Sequence, residues 1–221
     1  MVVRAVIFDM DGLMFDTERL ARDAWFRAMA KYGYALDDRV YLSAVGSTVG
    51  AACQVFVDAL GPHLPIDDIE AVKAQYLQEM LISGPPLKRG LVALLDGIED
   101  LELLTAVAST TAHAEVERRL LSVGLRERFD VVVGGDEVAQ GKPAPEIFLR
   151  ASERLGVVPE DCVVLEDSEV GVRAAAAAGM IPVMVPDLVE PSPAADELAA
   201  AVVPSLSDVL GVLRARRAAR I

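Results

Sequence analysis

Short apolar runs rich in β-branched residues recur along the chain. The first covers residues 2–8 and stops at Asp-Met-Asp-Gly, which predicts a buried strand that enters a turn. Further runs of this kind lie at 103–108, 130–133, 162–165 and 181–185, with a weaker one at 201–203. Helical patterns lie between them at 114–123, 145–155 and 170–178. This alternation predicts an α/β fold, a doubly wound parallel sheet with helices on both faces.

Between residues 18 and 82 the pattern changes to helices alone. Stretches with helical periodicity follow one another at 18–31, 49–60 and 67–80, without a convincing strand. The far end is marked by Ser83-Gly84-Pro85-Pro86, a cluster of helix breakers suited to a hinge. We therefore predict a helical domain at 17–83, inserted into a core formed by 1–16 and 84–221.

Composition and charge exclude several classes of protein. No apolar run approaches the ~18 to 20 residues of a membrane-spanning helix. Cys53 and Cys162 are the only cysteines, and neither has a neighbour at metal-ligand spacing, so we expect no disulfide framework or structural zinc and a reducing, cytoplasmic location. A net charge of −13 argues against nucleic acid and acidic membranes as partners. The basic residues near the C-terminus are interpreted as a helix end favoured by the helix dipole: Arg214, Arg216, Arg217 and Arg220.

Polar residues follow the apolar runs, at the edge of a parallel sheet where ligands bind. These residues are Asp9, Asp11 and Gly12 after the first run, Ser109 and Thr110 after 103–108, and Glu166 and Asp167 after 162–165, with Lys142 in the connection that follows 130–133. Four carboxylates beside one lysine would repel one another without a cation, and hard oxygen ligands suit Mg²⁺. The sequence therefore implies a divalent ion at this edge.

Phosphoryl transfer needs a nucleophile, an acid and base, and positive charge around the transferred group. Asp9 is the candidate nucleophile, forming an aspartyl-phosphate. Asp11 is the candidate that protonates the leaving oxygen and later deprotonates water. Taken alone, Asp9 and Asp11 could also form a solvated turn, Ser109 could cap a helix, and Glu166 with Asp167 could be a capping pair.

Four motifs in this order resemble those of the haloacid dehalogenase superfamily, in its subgroup of sugar-phosphate phosphatases and β-phosphoglucomutase-like enzymes with a helical cap. The motifs are Phe8-Asp9-Met10-Asp11-Gly12 with Asp16-Thr17-Glu18, then Val107-Ala108-Ser109-Thr110, Lys142-Pro143-Ala144-Pro145, and Glu166-Asp167-Ser168. The resemblance covers nearly the whole chain. Dehalogenases share the nucleophile but lack an aspartate two residues later, so Asp11 disfavours dehalogenation.

The resemblance implies a role for each matching residue. Asp9 is the nucleophile and a magnesium ligand, and Asp11 is the acid and base, with its backbone carbonyl reaching the metal. Asp167 binds the ion and Glu166 binds or supports it. Ser109 and Lys142 hold the phosphoryl oxygens, and Thr110 joins them as a substrate-binding candidate.

The helical insert occupies the position of a cap that closes on the substrate. Gly46 and Thr48 either line the cap side of the pocket or form an ordinary loop before a helix. The chain has Ala21 where the β-phosphoglucomutase-like pattern carries a histidine, and Val49 where mutases carry an arginine for the distal phosphate. Both departures favour hydrolysis over phosphoryl migration.

The leading hypothesis is a magnesium-dependent phosphatase acting on a small phosphorylated metabolite, in particular a sugar phosphate, as a monomer or weak homodimer. The alternative is a phosphohexomutase on the same scaffold. A non-catalytic binding protein is a third class, which has no need of Asp11. His113 is expected to begin the helix after Ser109 rather than to take part in catalysis.

Overall fold

Six parallel strands form one sheet in the computed structural model, which describes residues 2–218. The strands are β1 Ala5–Phe8, β2 Leu104–Ala108, β3 Val131–Val133, β4 Cys162–Glu166, β5 Ile181–Met184 and β6 Ala201–Val202. Their order across the sheet is β3-β2-β1-β4-β5-β6, and each neighbouring pair is parallel. The first strand is therefore central, with Ala5 in register with Leu104 on one side and Cys162 on the other.

Helices connect and cover the strands. The helices are α1 Thr17–Lys31, α2 Asp38–Ala44, α3 Val49–Leu60, α4 Ile66–Met80, α5 Leu91–Asp100, α6 His113–Ser122, α7 Glu146–Leu155, α8 Glu169–Ala177, α9 Pro193–Leu198 and α10 Leu206–Ala218. None of the helices in the described part of the chain is both long and apolar enough to cross a membrane.

Alternate residues of β1 face two separate apolar cores. Val6 and Phe8 belong to the core that contains the buried faces of α5, α6 and α10. Ala5 and Ile7 belong to the core formed with α7 and α8. Because successive side chains of a strand point to opposite faces, a four-residue strand that is buried on both faces reads as a continuous apolar run. The predicted doubly wound parallel sheet is confirmed.

The chain divides into two compact units, one running from Asp16 to Pro85 and the other combining the residues up to Phe15 with those from Pro86 onwards. The unit from Asp16 to Pro85 consists of α1 to α4, and its described residues form no strand. Its interior includes an edge-to-face contact between Trp25 on α1 and Phe56 on α3, with ring centroids 4.9 Å apart. A second edge-to-face pair joins Phe26 to Tyr41 on α2. Trp25 and Phe26 thus pack among these helices.

Differences from the predicted elements are mostly at their ends. Strands β2 and β3 begin one residue later than the apolar runs that predicted them, whereas β4 extends to Glu166. The helical patterns in the sequence did not predict α2, α5 or α9. Arg214, Arg216 and Arg217 lie in the last turns of α10, as the dipole argument expects, and Arg220 lies outside the described residues.

Candidate active site

The site lies at the carboxyl ends of three adjacent central strands. Asp9 directly follows β1, Ser109 directly follows β2, and Glu166 is the last residue of β4. Backbone hydrogen bonds continue the register past the strand ends, since Asp9 N–H donates to the Leu165 carbonyl at 3.0 Å. Parallel strands end at the same edge of a sheet, so the topology brings these side chains together.

Lys142 is the centre of the polar contacts at this edge. Its side chain is only 5% exposed, and its ammonium donates to Asp9 Oδ1, to Glu166 Oε1 at 2.5 Å and to the Ala108 carbonyl at 3.3 Å. Burial lowers the pKa of Lys142, but the carboxylates of Asp9 and Glu166 outweigh burial and raise it above its usual value. The charged form of Lys142 is therefore favoured, and its three donors are directed to oxygen atoms.

Asp9 is a buried carboxyl group, 7% exposed. Burial, with a smaller contribution from the Glu166 carboxylate, raises the pKa of Asp9 from 3.8 to about 8, although Lys142 opposes this rise through its charge and a hydrogen bond. The ionised, nucleophilic form of Asp9 thus depends on positive charge placed beside it. Lys142 supplies one such charge.

Glu166 is fully buried and has both oxygens engaged. Oε1 accepts from Lys142, while Oε2 accepts from the Ser168 hydroxyl at 2.9 Å and the Ser168 N–H at 3.2 Å. Ser168 is also the N-cap of α8, because its hydroxyl accepts from Gly171 N–H at 3.1 Å. The N-cap residue of α8 is therefore Ser168 rather than Glu166 or Asp167. Glu166 instead links Lys142 to the start of α8.

Three carboxylates form a cluster that fits a divalent cation. One oxygen each from Asp9, Glu166 and Asp167 can be chosen so that all lie within 4.8 Å of one another. Three carboxylates and the single ammonium of Lys142 leave two negative charges when all are ionised, which a divalent ion would neutralise. Hard oxygen donors of this kind suit Mg²⁺. The side chain of Asp11 is not part of this cluster, and a metal contact through its backbone carbonyl stays a prediction.

The turn after β1 requires glycine at position 12. Gly12 has a φ of +82°, and a Cβ added there would lie 2.1 Å from Asp167 Oδ2. Any side chain would be strained by the backbone and would displace a carboxylate of the cluster. The glycine thus allows the first loop to approach the end of β4.

Asp11 is held by two residues that the sequence motifs did not reveal. Thr111 Oγ1 donates to Asp11 Oδ2 at 3.0 Å, and Arg119 Nη1 donates to Asp11 Oδ1 at 2.7 Å. Thr111 directly follows the second motif, so the sequence could have indicated that it lies near the site. Arg119 lies further along the chain on α6, and a single sequence contains no pattern that connects it to Asp11.

Ser109 and Thr110 occupy the loop between β2 and α6. Ser109 is 1% exposed, its N–H donates to the Val133 carbonyl, and its hydroxyl accepts from Thr111 N–H at 3.1 Å. Helix α6 begins at His113, with Ala112 in the N-cap position, so the alternative of Ser109 as a helix cap is wrong. Thr110 is exposed at the same edge of the sheet.

His113 has structural partners in the part of the chain that the structure describes. Its Nδ1 lies 2.8 Å from Glu137 Oε1, and its backbone N–H donates to Asp136 Oδ1 at 2.7 Å. These contacts tie the start of α6 to the turn after β3. They agree with the expectation that His113 begins the helix rather than acting on substrate.

Gly46 and Thr48 belong to the helical unit. Gly46 lies in the loop between α2 and α3, and Thr48 is the N-cap of α3, where its hydroxyl accepts from Ala51 N–H at 3.3 Å. Thr48 therefore has the capping role that was one of its two interpretations. A contact of either residue with substrate stays a prediction.

A family model for haloacid dehalogenase-like hydrolases matches residues 3–179 of the chain. The chain belongs to this family. The match includes the first loop, Ser109, Lys142 and the carboxylates at the end of β4. The predicted membership of the superfamily is confirmed, and the acidic cluster described above lies within the matched residues.

Relatives within the haloacid dehalogenase-like family include named phosphatases. The chain is 35% identical to "Phosphorylated carbohydrates phosphatase" of Thermotoga maritima over 182 residues, which cover 80% of this chain and 82% of the relative. It is 35% identical to "Fructose-1-phosphate phosphatase YqaB" of Escherichia coli over 191 residues, covering 79% and 92%. The crystal structure of CbbY from Rhodobacter sphaeroides in complex with phosphate is 31% identical, with a TM-score of 0.73 and coverage of 95% and 96%. The prediction of a phosphatase of this family agrees with both named relatives.

Proposed function

We propose that this member of the haloacid dehalogenase-like family is a Mg²⁺-dependent phosphatase that hydrolyses small phosphorylated metabolites, in particular sugar phosphates, through an aspartyl-phosphate on Asp9. One observation carries the proposal. A buried carboxylate directly after the central strand contacts a buried lysine and shares its surroundings with two further carboxylates. This arrangement provides a nucleophile and the positive charge that phosphoryl transfer requires.

The reaction has two steps on the residues of this site. In the first, a carboxylate oxygen of Asp9 attacks phosphorus, the bond from phosphorus to the ester oxygen breaks, and Asp11 gives its proton to that oxygen. In the second, water attacks phosphorus, Asp11 takes the proton of the water, and the bond from phosphorus to Asp9 breaks. Inorganic phosphate and an unmodified Asp9 result.

Lys142 and Ser109 hold the phosphoryl oxygens in this proposal, with Thr110 beside them. Lys142 is well placed for this role because it is charged, buried and already within hydrogen-bonding distance of Asp9. Asp9, Asp167 and the backbone carbonyl of Asp11 would hold Mg²⁺, and Glu166 would bind or support it. When bound, the ion supplies positive charge that offsets the cluster of carboxylates and the transferred group.

The substrate class rests on the relatives and on the helical unit. Both named relatives act on phosphorylated carbohydrates according to their names. We assign residues 17–83 to a cap whose contacts choose the substrate, with Gly46 and Thr48 among the candidates. We also retain the expectation of a cytoplasmic monomer or weak homodimer that binds neither nucleic acid nor membrane.

Hydrolysis is favoured over phosphohexomutase activity by the residue that begins α3. The mutase pattern implies an arginine there for a distal phosphate. Val49 occupies the position, is 51% exposed and has an apolar side chain that cannot bond to a phosphate. A mutase on this scaffold would therefore need another cation for its bisphosphate intermediate.

The test is phosphate release from a panel of sugar phosphates, nucleotides and phosphoglycolate, with Mg²⁺ or with chelator. Asp9→Asn is the matched variant, because it keeps the shape of the side chain while replacing the nucleophilic carboxylate by a neutral amide. We expect magnesium-dependent release by the wild type and none by the variant, whose circular dichroism spectrum should show that it remains folded. Release by Asp9→Asn at the wild-type rate would overturn the proposal. Conversion of β-glucose 1-phosphate to glucose 6-phosphate with a bisphosphate primer, without release from the panel, would establish the mutase instead.

A further inference from the structure

Both carboxylate oxygens of Asp11 are held by groups on the segment after β2. Arg119 Nη1 donates to Oδ1 at 2.7 Å, and Thr111 Oγ1 donates to Oδ2 at 3.0 Å. The side chain of Asp11 is 30% exposed, so water could otherwise satisfy it and leave it free to rotate. Two contacts on different oxygens fix the plane of the carboxylate as well as its position.

The side chain of Arg119 is itself held in place by a second carboxylate, which also balances its charge. Its Nε donates to Glu115 Oε1 at 2.8 Å, one turn earlier on α6, and its side chain is 12% exposed. The guanidinium thus lies between two carboxylates, those of Asp11 and Glu115. A cation with two anionic partners in a partly buried position is poorly suited to bind a substrate phosphate, but it is well suited to hold an aspartate in place.

We propose that Arg119 is a positioning residue, which orients the Asp11 carboxyl group so that its protonated form can give its proton to the leaving oxygen of the substrate. The inference rests on the phosphatase function proposed above and adds a residue to it. General acid catalysis requires the acid within hydrogen-bonding reach of the oxygen that it protonates, and small displacements of the acid reduce the rate. Without Arg119, Oδ1 of Asp11 would lose its charged donor, and the plane of the carboxyl group would be less firmly held.

The test compares two substrates that differ in their need for an acid. A sugar phosphate has an alkoxide leaving group, which must be protonated, whereas p-nitrophenyl phosphate has a stable phenolate leaving group. The ratio kcat/KM reports the steps up to formation of the phosphoenzyme. In Arg119→Ala, we expect kcat/KM for the best sugar phosphate of the panel to fall at least about tenfold. Complete loss of general acid catalysis would lower the rate by roughly 10²-fold to 10⁴-fold, so this is a partial loss. The value for p-nitrophenyl phosphate should change by less than about threefold, because its leaving group needs no acid.

Arg118→Ala is the matched control. Arg118 is the neighbouring arginine on α6 and binds the same Glu115 carboxylate at 2.6 Å and 2.7 Å, but its side chain is 47% exposed and its guanidinium is directed to Glu115 rather than to Asp11. The control should leave the ratio of the two substrates unchanged. Arg119→Lys should restore part of the lost rate, and Arg119→Gln replaces Arg119→Ala if the alanine variant melts near the assay temperature.

A double variant separates orientation of Asp11 from other effects. In an Asp11→Asn background, removal of Arg119 should cause no further loss with the sugar phosphate. An equal loss with both substrates, or a further loss in the double variant, would overturn the positioning role while leaving the phosphatase intact. If the wild-type protein released phosphate from neither substrate, the proposed function itself would fail, so the two failures are distinguishable.

Discussion

Gly171 allows helix α8 to pack directly on the carboxyl group of Glu166. A Cβ built at Gly171 would lie 1.9 Å from both Cδ and Oε1 of Glu166. Glu166 cannot move aside without losing hydrogen bonds, because its Oε1 accepts from Lys142 and its Oε2 accepts from Ser168. The change Gly171→Ala should therefore displace either the helix or the glutamate that fixes Lys142.

The expected change in the free energy of unfolding of Gly171→Ala follows from stabilising and destabilising effects. Replacing glycine by alanine inside a helix stabilises by up to about 1 kcal/mol. Forcing an extra methyl group into a packed interior costs about 1 to 3 kcal/mol, and breaking a buried ion pair costs about 3 to 5 kcal/mol. We expect the added methyl group to separate Glu166 from Lys142, which gives a net destabilisation of at least about 2 kcal/mol and, for a chain of this size, lowers the melting temperature by at least about 4 °C.

Gly211→Ala provides the matched control for this prediction. Gly211 lies inside α10, and among the described residues no atom outside its own chain neighbourhood lies within 4 Å of the position of its Cβ. The control should therefore leave the melting temperature unchanged or raise it by a few degrees. Melting followed by circular dichroism measures both variants, and phosphate release should fall in Gly171→Ala alone. A melting temperature for Gly171→Ala at or above that of the wild type would refute the close packing of α8 on Glu166.

Three further predictions concern the pH dependence, the metal and the helical unit. Burial alone would raise the pKa of Glu137, but hydrogen bonds, led by the one from Arg154, lower this pKa from 4.5 to about 2. Ionised Glu137 therefore stabilises the fold fully above pH 4.5, and this stabilisation is lost as the pH falls towards 2. The difference in urea midpoint between the wild type and Glu137→Gln should shrink when the pH is lowered from about 7 to about 3. Mg²⁺ should raise the melting temperature of the wild type, because it binds preferentially to the folded state. An equal rise in the melting temperature of Asp167→Ala would contradict a metal role for that residue. Thr48→Ala should lower stability by about 1 kcal/mol in denaturant unfolding through loss of the helix cap, and Thr48→Ser should restore it; equal stability of all three proteins would contradict the capping role.

The sheet and the reactive edge could be predicted because both depend on local patterns. A central strand buried on two faces gives an apolar run such as residues 5–8, and the rule that ligands bind at the carboxyl ends of parallel strands directs attention to Asp9 and Glu166. Helix α5 was harder to identify, since Gly97 in its interior is unfavourable for a helix. The structure explains this glycine, because a Cβ there would lie 2.6 Å from Leu210 of α10.

The contacts that orient the site could not be predicted from the sequence. Arg119 and Asp11 are 108 positions apart, and their meeting depends on the way α6 packs beside the first loop. Ser168 was recognised as part of a motif, but its two bonds to Glu166 Oε2 follow from the turn between β4 and α8. Such interactions arise from tertiary geometry, for which a single chain carries no periodic signal.

Transfer of the phosphoryl group to Asp9 is the central claim, and its most direct test is chemical trapping of the intermediate. The protein is mixed with p-nitrophenyl phosphate and Mg²⁺, quenched in acid during turnover and reduced with borohydride, which converts an aspartyl-phosphate to homoserine. Asp11→Asn is included, because loss of the base that activates water should lengthen the life of the intermediate. We predict homoserine at position 9, identified by peptide mass spectrometry, in the wild type and more strongly in Asp11→Asn, and none in Asp9→Asn. Homoserine at another position, or continued turnover by Asp9→Asn, would contradict the account.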